Sequence, residues 1–413
     1  MLDLAPSADV TTHAAQTARL LVVDDNELNR DMLSRRLRKR GYAVDVAHDG
    51  REALAMVEHG DFDLVLLDVM MPEMNGYEVL QRLKDDPERR HIPVIMISAL
   101  DEMDSIIRCI KLGAADYLPK PFNATLLRAR VEASLAVKRL HDRQRAHTES
   151  LSRELEIGRQ IQRGFLPSEL PSAPGWDLAA RFRPAREVAG DFYDAFWVDD
   201  GTGARRIALV IADVCDKGVG AALFMTLFRS LLRSTAQARP AGRTDAEHVY
   251  TTVHIVNDYI ATTHGDANMF ATVVLALLDP ETGRLVYVNA GHDAPALVQD
   301  GAARARLEPT GSALGLLPHL PFDTAEATVA VGETIVAFTD GAADAQDAAG
   351  AFFSEARLLT QLATPAASAD AVLDRTLSVL DAHTVGVTAF DDITLLAVRR
   401  GPLGHPRSAR THA

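Results

Sequence analysis

The sequence predicts two folded units of different class joined by one long helix. The first is an α/β unit, a doubly wound parallel five-stranded sheet, and the second an α+β unit, a two-sheet β-sandwich flanked by helices. Three observations predict this. Between Leu20 and about residue 135, near-continuous aliphatic runs alternate with helical stretches, the pattern of a parallel sheet covered on both faces. Residues 123–165 hold no proline and no glycine before Gly158, so the helix there has nothing to stop it. From Trp176 to about Arg400, strand-like runs dominate and helical blocks are collected between them. A length of 413 residues, at ~100–200 per domain, agrees with two or three units.

Residues 1–18 are small, polar and aperiodic and are expected to be a disordered lead-in. LLVVDD (20–25) is a short apolar strand ending in acids, followed by a helix through LNRDMLSRRLRKRG (28–41). YAVDVAHD (42–49) is the next strand, and GREALAMVEHG (50–60) a helix closed by Gly60. DLVLLDVMMP (63–72), IPVIMISA (92–99) and ADYLPKP (115–121) repeat the strand-then-turn theme, which bounds the first unit at 19–135. Along the connecting helix, Leu140, His147, Leu151, Leu155 and Gly158 approximate a heptad seam, and Ile157, Ile161 and Phe165 form a second stripe. A solvated spacer and a dimeric coiled coil both fit residues 136–166. The seam favours the coiled coil and hence a homodimer.

LPSELPSAPGW (166–176) ends the helix with three prolines, and the second unit occupies 167–400. Its strands are expected in WDLAARFRP, FYDAFWV, RIALVIADV, FATVVLALLD, LVYVNAG, PALVQ, TIVAFTD and ITLLAVR. Its helices are expected at Val219–Ala238 with Ala246–Thr262, and at Ala356–Ala382 as one block. Residues 401–413 read as a short disordered basic tail.

Composition narrows the function. Apolar residues make up 47% and charged residues 24%, ordinary values for globular domains. Lys and Arg (43) minus Asp and Glu (57) leave −14, which argues against nucleic acid as the main partner and leaves room for Mg²⁺ or Mn²⁺. Cys109 and Cys215 alone build neither a zinc site nor a disulfide framework. No apolar run reaches the ~20 residues that span a bilayer, and the first residues lack a signal-peptide pattern, so a cytoplasmic protein is expected.

Two constellations carry chemistry. In the first unit Asp24-Asp25, Asp68, and Lys120-Pro121 each lie at the carboxyl end of a predicted strand, and such ends face one crevice in an open parallel sheet. Clustered carboxylates repel unless a divalent cation or a lysine compensates them, and one of them can then attack phosphorus. The hydroxyl of Ser98, at another strand end, is placed to bond an acyl phosphate. With VVDDNE, LLDVMMPEMNGYE, ISA and DYLPKPF, this stretch resembles the receiver domain of two-component response regulators. The resemblance implies that Asp68 is the phospho-acceptor, and that Asp24, Asp25, Asp68 and the Met70 carbonyl hold Mg²⁺. It also implies that Ser98 and Tyr117 report phosphorylation, that Lys120 contacts the phosphate, and that a sensor histidine kinase or phosphotransfer protein is the donor.

The second unit has four acid-centred turns: Gly190-Asp191, Asp213, Asp340-Gly341 and Asp391-Asp392. Any one of them reads as a capped turn. As a set they are what a two-metal site requires for activating water toward phosphorus, and glycines 190 and 341 are expected to let the backbone approach the metals. ELEIGRQIQRGFLP, EVAGDFYD, IADVCDKGVGAAL, MFATVVL, NAGHDAPAL, FTDG and FDDITLLAVR resemble the PPM-type (protein phosphatase 2C-like) serine/threonine phosphatases. The nearer likeness is to the bacterial partner-switching branch that acts on anti-sigma factor antagonists. The resemblance implies two Mn²⁺ or Mg²⁺ held by Asp191, Asp213, Asp340 and Asp392, with Asp213 bridging, helped by the Val214 carbonyl. Two departures stand out: Ala189 replaces a glycine, and Asp344 stands where a Glu is usual. Arg186 is a candidate phosphate contact and His292 a candidate acid or substrate-side residue, though a surface arginine and a satisfied turn histidine are the default readings. Cys215 reads as packing. The expected activity is metal-dependent hydrolysis of phosphoserine or phosphothreonine on an anti-sigma factor antagonist, under control of Asp68. The alternative is a phosphorylation-gated adaptor with a weak phosphatase-like domain that binds a sigma factor or its regulator. The four retained acids favour the enzyme.

Overall fold

The computed structural model of the protein describes residues 17–98, 103–201, 203–299, 301–402 and 411–412. Residues 1–16 of the expected lead-in, Ala99 and most of the expected tail lie outside the described residues. Ala18, placed in the lead-in, is instead buried and its carbonyl accepts the Ala43 N–H at 3.0 Å. The chain divides into two compact units, Met1–Leu151 and Ser152–Ala413, and the division falls within a single helix.

In the first unit, strands β1 (Arg19–Val23), β2 (Ala43–Ala47), β3 (Leu64–Asp68), β4 (Val94–Ser98) and β5 (Asp116–Pro119) form one sheet in the order β2-β1-β3-β4-β5. Every pairing is parallel. Helices α1 (Glu27–Arg38), α2 (Gly50–His59), α3 (Gly76–Asp85), α4 (Met103–Lys111) and the start of α5 (Ala124–Arg163) are the crossovers. Side chains of successive strand residues go to opposite faces, so Leu21, Val23, Val65 and Leu67 enter one core with α2 and α3. Leu20, Val22, Leu64 and Leu66 enter the other, with α1 and α5. Helix caps come from the turn residues: Asn26, Asp49 and Asn75 each accept backbone N–H groups in the first turn of α1, α2 and α3.

Helix α5 begins on Asn123, whose side chain accepts from the N–H groups of Thr125 and Leu126. Its stripe Leu127, Val131 and Leu135 is buried at the i, i+4, i+8 spacing. The seam residues beyond are not: Leu140 is 65% and Leu151 46% exposed, and His147 is also exposed.

The second unit stacks two sheets whose strands pair antiparallel but for one two-residue edge strand. One contains β7 (Phe192–Asp199), β8 (Arg205–Val214), β9 (Ala271–Leu278), β10 (Arg284–Ala290) and β13 (Ala325–Thr328). The other contains β6 (Trp176–Arg183), β11 (Ala296–Gln299), β12 (Ala302–Arg306), β14 (Thr334–Phe338), β15 (Ile393–Arg400) and the two-residue β16 (Thr411–His412). A shared apolar core lies between them. Helices α6 (Val219–Gln237) and α7 (Asp245–Thr263) pack on the first sheet, while α9 (Glu355–Ala363) and α10 (Ala369–His383) pack against the second. The short α8 (Asp340–Ala343) follows β14.

Two expectations need correction. The helical block 356–382 is two helices, because Pro365 breaks the run and Ser368 caps the second piece through Ala371 N. Strands β12, β13 and β16 were not anticipated. AARAR and AEAT set alanines beside charged residues, exposed or half-buried and without an apolar alternation, so ladder hydrogen bonding from a neighbour makes them strands.

Candidate functional site

In the first unit, the strand ends bring the acids together. Asp24 follows β1 and is fully buried, Asp68 ends β3 and is buried, and Asp25 is exposed. Each of the three offers an oxygen within 4.8 Å of the others, the one such cluster found among the described residues. Three oxygen donors in that space suit a hard divalent cation. The Lys120 ammonium lies 2.9 Å from both Asp24 and Asp68. Its position is set by its own N–H, which donates to the Ser98 carbonyl at 2.7 Å. Asp24 is fixed further by Asn26 N–H and the Asn29 amide. Burial, with the Asp24 charge in support, raises the Asp68 carboxyl to about 6 although Lys120 works the other way. Burial acts to lower the Lys120 ammonium, and its bonds to Asp24 and Asp68 outweigh that and raise it. Ser98 and Tyr117 end and line neighbouring strands, both half-buried, and Met70 is 74% exposed in the turn after β3.

In the second unit the acid turns also gather at strand ends, from four segments. Asp191 precedes β7 and is buried, and its Oδ2 accepts from the hydroxyls of Thr339 (2.6 Å) and Thr394 (2.7 Å). Burial first, and then the charges of Asp213 and Asp392, hold its carboxyl well above the usual range. Asp213, next to last in β8, is raised to about 7 by burial and by Asp340, against a hydrogen bond with Asp191. Asp340 opens α8 and is raised to about 6 by burial and by Asp391. These three carboxylates are raised mainly by burial and by neighbouring acids, as close acids without a counter-charge are.

Asp391 and Asp392 differ in their contacts. Both oxygens of Asp392 accept backbone N–H groups, Ala185 at 2.7 Å and Gly190 at 2.9 Å, so this side chain braces the loop that delivers Asp191. Asp391 is the member whose charge bears most on Asp340 and which carries an ion pair to Lys217 at 2.7 Å. The two glycines make room for backbone. A Cβ on Gly341 would overlap the Asp392 carbonyl, and one on Gly190 would stand 2.9 Å from the Val214 carbonyl. Both glycines admit neighbouring backbone, which brings the acid-bearing turns together. Ala189 is buried without a positive φ, so its methyl is accommodated.

Arg186 and Asp344 are exposed. His292 is buried: its N–H donates to Asn289 Oδ1 at 2.8 Å, its ring shares a hydrogen bond with Thr272 at 2.7 Å, and burial lowers it to about 4. It is an enclosed, neutral turn residue. Cys215 is half-buried, its sulfur accepting from Phe270 N–H, and burial pushes its thiol up. Sequence reasoning missed four residues: Thr339 and Thr394, the threonines within the FTDG and DDIT motifs, Lys217, and Gln162. The last is buried at the end of α5 and clasps Ala189, donating to its carbonyl at 2.7 Å and accepting its N–H at 3.0 Å. The periodicity of the ELEIGRQIQRGF segment gave no reason to single out a glutamine.

Comparison with known proteins agrees with both halves. Residues 20–132 match the family model of the response regulator receiver domain, and residues 203–401 that of stage II sporulation protein E. The chain therefore carries a receiver domain followed by a phosphatase-type domain. The latter is a PPM-type domain of the stage II sporulation protein E family. Protein IcfG of Synechocystis is 41% identical over 266 residues, 60% of this chain and 41% of that protein. The chain thus spans less than half the length of that relative. The RsbU and RsbW domains of Rv1364c from Mycobacterium tuberculosis are 31% identical over 58% of this chain and 65% of theirs, with a TM-score of 0.48. The SiaA-PP2C domain of Pseudomonas aeruginosa shares the fold at 20% identity and a TM-score of 0.50, over 62% of this chain and 98% of its own. No helix among the described residues is long and apolar enough to cross a membrane.

Proposed function

We propose that the protein is a phosphorylation-regulated, metal-dependent protein serine/threonine phosphatase. Its receiver accepts a phosphoryl group on Asp68 from a histidine kinase or phosphotransfer protein, and its second unit hydrolyses a phosphoserine or phosphothreonine on a partner, an anti-sigma factor antagonist. The observation that carries the reading is the convergence of Asp191, Asp213, Asp340 and Asp391 from four segments, with the carboxyls of Asp191, Asp213 and Asp340 raised by burial and by neighbouring acids. Asp191, Asp213, Asp340 and Asp391, the last in the role sequence assigned to Asp392, would hold two Mn²⁺ or Mg²⁺, with Asp213 and the Val214 carbonyl between them. Such cations supply a water made nucleophilic at neutral pH and charge stabilisation for the phosphoryl oxygens. The chain's own contribution is placement. Thr339 and Thr394 fix the orientation of Asp191, and Asp392 fixes the 185–190 loop before it.

In the receiver, Asp24, Asp25, Asp68 and the Met70 carbonyl would hold Mg²⁺, with Lys120 beside the acceptor oxygen and Ser98 and Tyr117 as reporters. The exposure of Leu140, Leu151, Ile157 and Ile161 along α5 supports a homodimer through this helix, since a coiled-coil seam needs a second helix. The test is Mn²⁺-dependent hydrolysis of a generic phosphate ester with and without acetyl phosphate, on the wild type and Asp213→Asn. Loss of several orders of magnitude in Asp213→Asn is expected, because a bridging ligand serves both ions. Full turnover in excess chelator would remove the metal from the mechanism.

A further inference from the structure

Five carboxylates, Asp191, Asp213, Asp340, Asp391 and Asp392, share this end of the sandwich. Among the described residues one cation pairs with any of them, Lys217 on Asp391. The Lys217 ammonium lies 2.7 Å from Asp391 Oδ2, donates to the Phe390 carbonyl at 2.9 Å and stands 3.9 Å from the centroid of the Phe390 ring. Lys217 belongs to the loop between β8 and α6, just past Asp213, while Asp391 opens the approach to β15. The cation therefore ties two of the segments that present acids.

The loop is shaped for this. Asp216 sits at φ 71°, in the left-handed region, and its side chain accepts the Lys217 N–H at 2.8 Å. The two partners are 28% and 27% exposed, so an ion arriving from solvent can reach the shared carboxylate.

We propose that Lys217 is a positioning residue that acts as an exchangeable counter-cation, holding Asp391 while the cluster lacks a divalent ion and releasing that carboxylate when the ion enters. The inference rests on the two-cation reading above. A lysine carries one charge and a divalent ion two, and a hard cation prefers carboxylate oxygen. The exchange is contained, because the ammonium keeps the Phe390 carbonyl and ring as partners after Asp391 is given up. The turn then stays anchored while its carboxylate changes hands.

The test is calorimetric titration of Mn²⁺ into the full chain carrying Asp25→Asn, which weakens the receiver cluster so that the heat reports the second unit. Lys217→Met removes the competitor and should bind Mn²⁺ about ten-fold more tightly, the scale of one charged hydrogen bond. Lys217→Arg retains the charge and should stay within about two-fold of the parent. Without Mn²⁺, Lys217→Met should melt below the parent, and saturating Mn²⁺ should close the gap. A Lys217→Met protein with unchanged or weaker Mn²⁺ affinity makes the lysine a loop clamp only and overturns the exchange. If the parent itself shows no Mn²⁺ heat, or a heat that survives Asp213→Asn, the two-cation reading fails first and the exchange falls with it.

Discussion

Gln162 joins the last turns of α5 to the candidate active site through two hydrogen bonds to one residue, Ala189, two positions before Asp191. Gln162→Ala removes both. The Ala189 N–H and C=O are buried, and each unsatisfied buried polar group costs about 1–3 kcal/mol. Water entering the space left by the amide satisfies part of that, so a net loss of about 2 kcal/mol is the reasonable scale. At 1.4 kcal/mol per decade this is roughly a thirty-fold shift in the balance between docked and undocked forms of the 185–191 loop. The expected result is weaker Mn²⁺ binding and a matching fall in phosphatase turnover, while labelling of Asp68 by acetyl phosphate is unaffected. Gln162→Glu keeps the acceptor for Ala189 N–H but turns a carboxylate toward the Ala189 carbonyl, and should be at least as damaging. Calorimetry with Mn²⁺ and ester hydrolysis on the same preparations read both effects. Wild-type Mn²⁺ affinity in Gln162→Ala would show that the clasp does not hold the site and that α5 ends there without consequence.

Labelling of Asp68 by acetyl phosphate with Mg²⁺ should be abolished in Asp68→Asn. In the wild type it should fall at acid pH, below the value of about 6 that holds without the ion, since only the carboxylate attacks phosphorus and bound Mg²⁺ favours that form. The sign for stability is opposite: a carboxyl raised from 3.8 to about 6 makes the ion-free receiver lose stability as pH rises through that window, a loss that Mg²⁺ should offset in thermal melts. Gly341→Ala should lower stability by about 1–3 kcal/mol in denaturant titrations and weaken Mn²⁺ binding, because its methyl overlaps the Asp392 carbonyl. Two residues inserted beside Arg145 rotate the α5 phase by about 200°. Basal hydrolysis should survive and its response to acetyl phosphate should disappear; an unchanged response would make the helix a spacer.

The division into a parallel α/β unit, a long helix and an antiparallel sandwich was legible in the sequence, because hydrophobic periodicity is local. Short aliphatic runs such as LLVVDD and DLVLLD, bounded by turn residues, read as doubly covered strands, and the proline-free span to Gly158 leaves the helix no stop. The acids of both sites were legible for the same reason: Asp68, Asp191, Asp213 and Asp340 stand at strand ends, where topology brings remote residues together. Edge strands β12 and β13 were not, since their pairing comes from a neighbour and not from their own side chains. The division of labour between Asp391 and Asp392 was also invisible. Adjacent identical residues differ only in which way each points, and that is settled by the Ala185 and Gly190 N–H groups on one and Lys217 on the other. Gln162 belongs to the same class: a polar residue in the largely exposed later turns of the helix acquires its role only when the 185–191 loop folds against it. Sequence determined which residues meet at a strand end. Only the tertiary structure decided which of their oxygens remain free, because hydrogen-bond partners are allotted across segments far apart in the chain.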